Sequence, residues 1–420
     1  MTSNTVINKE NKAEKLCCFL LSLLPIIFFL GNGVGNSLVI TIDILFLYIL
    51  IKNKEISFLH DFTFYLLLIF WLILIGNLII SINIENSLGR SVGFVRFILL
   101  VFALKYFLQF KKIKFKEFIF KIWLFFFIII LFDLIFEIVF GFNTLGFSSY
   151  MPGRLSGFFN QELKIGHLFL SFFLIILSVI LYFRSSPTQL NKKLIRNFND
   201  NHLFFLILLF ILISFFIGER SNFMRCVIMS LLFFMIVSKE WITITKFLVI
   251  SFLITTIFLM SSKNYHWRYW QAFLKPLISN PVKFVDNSYY GSHYKTAIQV
   301  FKNNKLYGVG LKNYRIEVQK DKYNELSSIH PHQVHFEILS ELGIIGYLFF
   351  ISFVFISILK SFIFFKKTKD YFVLSSMLYF ITILLPILPS GSFFTSFGAT
   401  MFWINYAFMT SSEKTQNLNE

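Results

Sequence analysis

The sequence predicts an all-α, polytopic integral membrane protein with about twelve transmembrane helices, and three observations carry that prediction. Hydrophobic residues make up 56% of the 420-residue chain and charged residues only 15%, whereas a soluble domain carries roughly a quarter charged residues. The 60 phenylalanines could not be buried in one water-soluble core of this size, so lipid must be the solvent for most of them. The apolar residues also fall in runs long enough, or nearly so, to cross roughly 30 Å of hydrocarbon, without the short alternating segments of a barrel.

The runs lie at about 16–30, 35–51, 63–81, 91–109, 118–140, 166–183, 203–217, 222–238, 243–260, 336–359, 371–387 and 391–410. The first follows Lys9, Lys12 and Lys15 and has no small-x-small cleavage site, so it reads as an uncleaved first span. Orientation follows the lysines and arginines. With the N-terminus inside, the inner loops hold Lys52 and Lys54, then Lys105, Lys111, Lys112, Lys114 and Lys116, then Arg184, Lys192, Lys193 and Arg196, then Lys239 and Lys246, and finally Lys360, Lys366, Lys367 and Lys369. Short outer loops hold very few, Arg90 among them. An even number of spans puts both termini in the cytoplasm. The whole chain, 1–420, is read as one integral membrane domain, and the segment 261–334 between spans nine and ten becomes a large external loop. Its eleven Lys and Arg do not contradict the orientation, because long loops are exempt from the charge rule.

The net charge of +17 is therefore mostly topology, and nucleic acid is not an expected partner. Cys17, Cys18 and Cys226 lie in or beside apolar segments, which suits neither a disulfide framework nor a thiolate metal site. The loop replaces Phe and Ile with Tyr, Trp and Lys, and five of the eight histidines lie between His266 and His335. One or two helices are expected there on the outer membrane face, one of them an amphipathic stretch around His293 to Phe301, with a turn at Gly308-Val309-Gly310.

Several polar residues have no topological reason to stand where they do. Arg154, in Arg154-Leu155-Ser156-Gly157-Phe158-Phe159-Asn160-Gln161, and Arg220, in Gly218-Glu219-Arg220-Ser221, fall on the outer side, with Arg225 just inside the next helix. Charge at such depth costs several kcal/mol unless paired or facing water, so each is a functional candidate. The competing reading is a structural ion pair, such as Glu219 with Arg220, or Asp133 and Glu137 with an arginine such as Arg96. Asp43, Lys121 and His167 have no evident place.

The sharpest feature is Ser328-Ile329-His330-Pro331-His332-Gln333-Val334-His335, running into Gly343 and Gly346. Pro331 suits a first helical position, which would make His330 the cap and put His332 in the first turn, where the helix dipole keeps an imidazole neutral. Gly343 would then lie on the face of His332, roughly 16 Å deeper, and the two glycines would let a neighbouring helix pack closely. Zinc at His330, His332 and His335 is the alternative, but no carboxylate or thiolate completes a familiar site.

On these residues the sequence resembles the O-antigen ligase and O-antigen polymerase superfamily, membrane glycosyltransferases that move a glycan from a polyprenyl diphosphate carrier to an acceptor outside the cytoplasmic membrane. The resemblance is strongest over 150–350 and extends over the chain in topology. Ten residues separate His332 from Gly343 as in the family's motif, with Gln333 where Asn is common. Arg220 matches the family's outer arginine at the start of a span, Arg154 to Gln161 resembles its arginine-leucine-x-glycine-phenylalanine segment, and Leu306 to Tyr314 is similar to the stretch after its loop helix. Where many members have an arginine at the head of that helix, this chain has His293 with Lys295 nearby, leaving Lys295, Arg268 and Arg315 as candidates for the second diphosphate ligand.

The resemblance implies a GT-C-like fold in the bacterial inner membrane and a periplasmic site that needs neither cofactor nor metal. His332 is then the general base, Arg220 holds the diphosphate, Arg154, Arg225 and His330 line the substrates, and Gly343 and Gly346 are structural. The implied partners are an undecaprenyl-diphosphate-linked glycan donor, a lipid A core or other glycan acceptor, and membrane lipid. A single long loop ahead of the histidine helix favours ligase over polymerase. A lipid-linked glycan transporter would place ionisable groups at mid-bilayer, whereas these sit at the outer edge, and a purely structural membrane protein leaves the His332 motif without a purpose.

Overall fold

A computed structural model of the protein describes residues 12–109, 112–185, 200–237, 241–320, 323, 328–386 and 388–411, and every element among them is helical. The sequence-assigned inner cations Lys111, Lys192, Lys193, Arg196 and Lys239, together with Lys9 of the N-terminus, lie outside the described residues. The membrane-type helices are α1 (Lys12–Ser22), α2 (Asn32–Asn53), α3 (Phe62–Gly76), α4 (Ile84–Gly93), α5 (Val95–Leu108), α6 (Ile113–Phe140), α7 (Ile165–Ser185), α8 (Asp200–Ile217), α9 (Arg220–Val237) and α10 (Trp241–Ser261). After the external segment and its amphipathic helix α11 (Tyr289–Asn303) come α12 (Val334–Thr368), α13 (Tyr371–Ile383) and α14 (Ser396–Thr410).

Each of the twelve apolar runs contains one of these helices. Among the described residues seven spans are long and apolar enough to cross a membrane as they stand, and nine if two bent pairs count as one span each. The others are α8 and α13, which are shorter apolar helices, and α14, which is 15 residues long and buried along almost its whole length. The chain is thus a polytopic membrane protein.

Caps show why the helices start and stop where they do. Asp61, Asn83, Ser288 and Asp370 each accept a backbone N–H from the first turn that follows, and Gly141 at φ 80° closes α6. The centre is built by α5, α7, α13 and α14. There Ser178 and Ser375 hydrogen-bond at 2.6 Å across α7 and α13, and Asn405 Nδ2 donates to the Ser171 carbonyl at 3.0 Å across α14 and α7. Small polar groups of this kind join helices that lipid would not otherwise drive together. One end of the bundle gathers charge into closed pairs: Lys112 and the Tyr106 hydroxyl both donate to Glu14 at 2.6 Å, and Lys105 pairs with Asp61 at 2.6 Å. Arg154, Arg220, Arg268 and His332 stand at the other end.

The segment 261–334 is more helical than the sequence suggests. A π-helix at His266–Leu274 and short helices at Lys275–Ser279 and Pro281–Asn287 precede α11, and a further turn lies at Tyr314–Glu317. The first of these pieces turns by 106° from the axis of α10.

Gly343 does not sit on a continuous helical face. It breaks α12, at φ 66° and ψ −168°, and what approaches it is extended backbone instead of a neighbouring helix. Ile344 N donates to Lys305 O at 2.8 Å, Val309 N to Ser340 O at 3.0 Å and Gly310 N to Glu341 O at 3.0 Å. A Cβ on Gly343 would overlap the Leu306 carbonyl, and one on Gly308, at φ 72°, would overlap Glu341. The backbone groups freed by the break are thereby satisfied by the loop. At Gly346 an added Cβ would meet the Leu342 side chain of α12 itself.

Gly343→Ala should therefore destabilise the protein by about 2 kcal/mol or more, combining a positive φ with a steric overlap. Gly33→Ala, at a helical glycine with open space around it, should be neutral or slightly stabilising. Thermal unfolding of the two variants in detergent checks the contrast.

Candidate functional site

Three arginines meet where the Met151–Leu155 loop crosses the turn between α8 and α9. Gly218, at φ 77°, has no room for a Cβ against the Gly153 carbonyl, and Leu155 N donates to Ile217 O at 3.2 Å. That crossing sets Arg154 beside Glu219, with which it pairs at 2.5 Å, while its other bond goes to Leu163 O at 2.9 Å. Glu219 therefore pairs with Arg154 and not with its neighbour Arg220, and it also accepts from Asn222 and lies 3.8 Å from His167 Nε2. Arg268, from the π-helix, donates through Nε to Gly218 O at 2.6 Å. Arg220 is held only by weak contacts to the carbonyls of Arg268 and Ala272, at 3.4 and 3.5 Å, and by stacking 5.3 Å from the Phe273 ring. Neither Arg220 nor Arg268 has a carboxylate partner among the described residues. A cavity of about 280 Å³ opens beside Arg154, lined also by Glu137, Ser149, Met151, Asn264 and Tyr265 among others.

His332 lies just ahead of α12. The helix begins at Val334 and its cap is Gln333, whose side chain accepts from His335 N and Phe336 N. Pro331 is thus not the first helical residue, His330 is not the cap, and the helix dipole is not what keeps His332 neutral. His332 takes a left-handed backbone, φ 56°, rare for a residue with a Cβ, and its carbonyl accepts from Ser390 N at 2.7 Å. Its ring stacks on His293 at 5.2 Å, meets Tyr290 at 6.0 Å and His330 at 4.8 Å. Burial, then the neighbouring His330 and His293, push its pKa down to about 4. Burial likewise lowers His330, to about 3, with Arg90 the next cause, and lowers His293. His293 Nδ1 accepts from Ser328 N at 3.0 Å, which fixes its neutral tautomer with the proton on Nε2.

Other sequence candidates separate by what their donors touch. Arg225 is fully buried and its guanidinium donates to the carbonyls of Thr382, Leu388 and Pro389 and to Asn222 Oδ1. It ties the α13–α14 loop to α9 and has nothing left for a substrate. His335 donates from Nε2 to Leu384 O at 2.7 Å and accepts at Nδ1 from the Tyr347 hydroxyl at 3.2 Å, so neither nitrogen is free for zinc. Asp133 and Glu137 do not balance Arg96. Asp133 accepts from Thr144, and Glu137 accepts from Ser156 N, Ser156 Oγ and Gly157 N, fixing the Arg154 loop from below. Lys121 pairs with Glu117 one turn away, and Asp43 is buried facing Arg96. Lys295 is exposed on α11, and Arg315 stands away from the arginine trio, close to Lys312 and His330.

Tyr290 joins the two groups. It stands in electrostatic range of Arg220 while its ring packs against His332 and, at 6.2 Å, His293. The sequence reading missed it, as it missed Glu219's service to Arg154 and the Glu337 carboxylate, which accepts from Ser392 Oγ at 2.5 Å and Phe393 N at 2.7 Å and lies 3.9 Å from His330 Nδ1. Tyr290 was findable: Ser288 caps the helix and Tyr290 precedes His293 by three residues, on the same face. The arrangement offers cations for an anion and, within reach of the same tyrosine, a neutral imidazole able to take a proton.

Residues 203–351 match the family model described as O-antigen ligase, which supports the O-antigen ligase and polymerase superfamily. The matched segment includes Arg220, Arg268, His293 and His332. No curated protein matches the chain.

His330 and His332 have folded-state pKa values below the ordinary 6.5, so the unfolded chain takes up protons first as pH falls. Their contribution to stability is present above about pH 6.5 and is lost on the way down towards 4 and then 3, at up to about 1.4 kcal/mol per unit for each. The unfolding midpoint in detergent should drop between pH 7 and 5, and a His330→Gln, His332→Gln double variant should show a shallower dependence.

Proposed function

We propose that the protein is a glycosyltransferase of the O-antigen ligase type, transferring a glycan from an undecaprenyl-diphosphate carrier to a lipid A core sugar at the periplasmic face of the bacterial inner membrane. The observation that carries this reading is the pairing of under-compensated arginines, Arg220 and Arg268, with the half-buried neutral imidazole of His332 across Tyr290. Twelve GT-C-like spans with both termini cytoplasmic belong to the same proposal. They are supported by the segregation of closed Lys–carboxylate pairs at one end and the open arginines at the other.

The chemistry follows from those side chains. Diphosphate is a good leaving group, so the protein must hold its charge and deprotonate the acceptor hydroxyl. Arg220 and Arg268, backed by Arg154, present guanidinium forks to the phosphate oxygens and make a divalent cation unnecessary. The bond from the anomeric carbon to the diphosphate oxygen breaks as the acceptor oxygen attacks from the opposite face, and the hydroxyl proton passes to His332. A single displacement of this kind inverts the anomeric centre. The low pKa of the empty site does not disable the base: a bound diphosphate brings negative charge that favours the imidazolium as it forms. Arg225 and Gln333 are positioning residues that hold the α13–α14 loop, whose Ser390 fixes the His332 backbone.

Polymerisation of carrier-linked repeats uses the same donor and differs only in acceptor, and the further cations near His330 give that reading a specific observation. Transport of a lipid-linked glycan ranks below both, because the polar groups cluster at one edge.

Complementation of a ligase-deleted and a polymerase-deleted Gram-negative strain, read on a lipopolysaccharide gel, separates these activities. Polymer-capped core in the first strain alone is the expected outcome, and longer ladders in the second alone would make the protein a polymerase. His332→Ala should lower transfer in membranes by about 10²–10⁴-fold and Arg220→Ala by about 10² or more, with both proteins still inserted. An active His332→Ala protein sinks the base assignment.

A further inference from the structure

A second group of cations lies near His330, apart from the arginine trio. The loop that crosses Gly343 is also stitched to α4. Asn77 Nδ2 donates to Tyr307 O at 2.8 Å, Ile82 N to Val309 O at 3.1 Å, and Ser87 Oγ to Leu311 O at 2.7 Å. Asn313 Nδ2 donates to both Asn83 O and Ser87 Oγ at 3.0 Å. Arg90 follows Ser87 by three residues on the same face of α4, and Lys312 and Arg315 flank Asn313 and Tyr314. The stitching therefore gathers Arg90, Lys312 and Arg315 around one point, all three partly exposed.

The backbone of this segment is held by those bonds and by the Glu341 carboxylate at the Lys312 and Tyr314 amides, whereas the three cationic side chains take no part in holding it. None of the three makes an ion pair or a side-chain hydrogen bond among the described residues, and burial together with Arg90 and Arg315 lowers the Lys312 pKa. Two carboxylates lie within electrostatic range of Arg90, Glu337 and Glu341. Glu337 is already committed to Ser392 and Phe393, and Glu341 is buried, its Oε2 without a hydrogen-bond partner. Three cations face two enclosed acids, none within pairing distance. His330 Nε2, Asn313 Oδ1 and the Tyr314 hydroxyl are buried there without partners as well. Lys312 itself is held at φ 66°, a left-handed conformation uncommon for a residue with a Cβ.

We infer that Arg90, Lys312 and Arg315, with His330 behind them, form a second anion site that takes the phosphate or diphosphate of the acceptor lipid. The inference rests on the transferase reading and completes its geometry. His332 touches a neighbour of each group: Tyr290, which is in electrostatic range of Arg220, and His330, which is in range of Arg90. An acceptor anchored by phosphate at the second group presents its hydroxyl to the imidazole while the donor diphosphate occupies the first. Two anionic lipids can be held close together because each has its own cations. The acceptor phosphate has two possible sources, a carrier diphosphate or a phosphorylated core sugar, and both carry the chemistry that this site recognises.

The test uses the full-length protein in phospholipid nanodiscs with labelled donor and three acceptors: a carrier-diphosphate glycan, a phosphorylated lipid A core, and the same core dephosphorylated. Arg90→Gln and Arg315→Gln should each raise KM for a phosphate-bearing acceptor by roughly tenfold, the loss of one charge-assisted contact. They should leave the donor KM, the dephosphorylated-acceptor KM and the unfolding midpoint nearly unchanged, and Arg90→Lys should recover most of the loss. Arg220→Gln is the donor-side reference. The phosphate-bearing acceptor whose KM moves identifies the source. Equal effects on phosphorylated and dephosphorylated acceptors, a rise in donor KM, or no effect overturns the inference. Acceptor binding without donor separates the two readings: phosphate-dependent binding lost in Arg90→Gln, in a protein that transfers nothing, upholds the site and sinks the transferase reading.

Discussion

The backbone crossing at Gly343 is the contact on which the site depends. A transmembrane helix interrupted near the membrane surface leaves amides and carbonyls that hydrocarbon cannot satisfy, and here the Lys305–Gly310 segment satisfies them from outside. Because Gly308 and Gly343 carry no Cβ, two backbones approach to hydrogen-bonding distance. The same segment is bonded along its other edge to Asn77, Ile82 and Ser87. One strip of loop therefore locks α12 to α4, and everything that flanks it inherits a fixed position: α11 on its N-terminal side with Tyr290 and His293, and Lys312 to Arg315 on its C-terminal side. Without the crossing, the external segment would have no defined register against the histidine helix.

Buried carboxylates do the remaining fixing, each holding a loop that carries a cation or an imidazole. Glu137 accepts three bonds from Ser156 and Gly157 and so sets the loop bearing Arg154. Glu219 receives Arg154 and Asn222 at the turn that starts α9, and Glu337 anchors Ser392 and Phe393 beside Ser390, whose amide holds the His332 carbonyl. An enclosed carboxylate is costly unless its oxygens are satisfied by several donors, and the backbone amides of a short loop supply those donors in a geometry that cannot drift. The cations are treated in the opposite way. Arg220, Arg268, Arg90, Lys312 and Arg315 are left short of counter-charge, which a fold tolerates at its water-facing edge and which an anionic ligand would relieve.

The architecture was legible because hydropathy and charge bias report the solvent around each segment directly. Every apolar run holds a helix, and Arg154 and Arg220 stood out because the charge bias gave them no topological reason to be where they are. The histidine motif was legible as a site but not as a structure. Pro331 imitates a first-turn proline, and only the capping bonds of Gln333 move the helix start to Val334, two residues beyond His332. The spacing from His332 to Gly343 looked like helical periodicity and is in fact the distance from a left-handed residue to a helix break. Arg225 could not be told from Arg220 by sequence at all. Both stand in the first turns of α9, and what separates them is that the end of α13 and the α13–α14 loop close over Arg225 with three carbonyls. Long-range partners of this sort, such as Glu219 with Arg154 across 65 positions, leave no periodic signature.

The electrostatic design also bears on how a histidine with a pKa of about 4 can serve as a base. Three imidazoles crowd together there, and burial suppresses the charge of each, with Arg90 adding to the effect at His330 and the two neighbouring imidazoles at His332. That state is neutral and ready to accept, but a proton taken up there would be held weakly. Placing a diphosphate on the arginine trio reverses the sign of the local field, and an anionic acceptor on the second group would add to the reversal. The imidazolium would then gain stability only while substrates are present, which is when the acceptor hydroxyl must lose its proton. On the proposed reading, burial keeps the base free of protons at rest, and the substrates that the cations collect would supply the charge that lets it act.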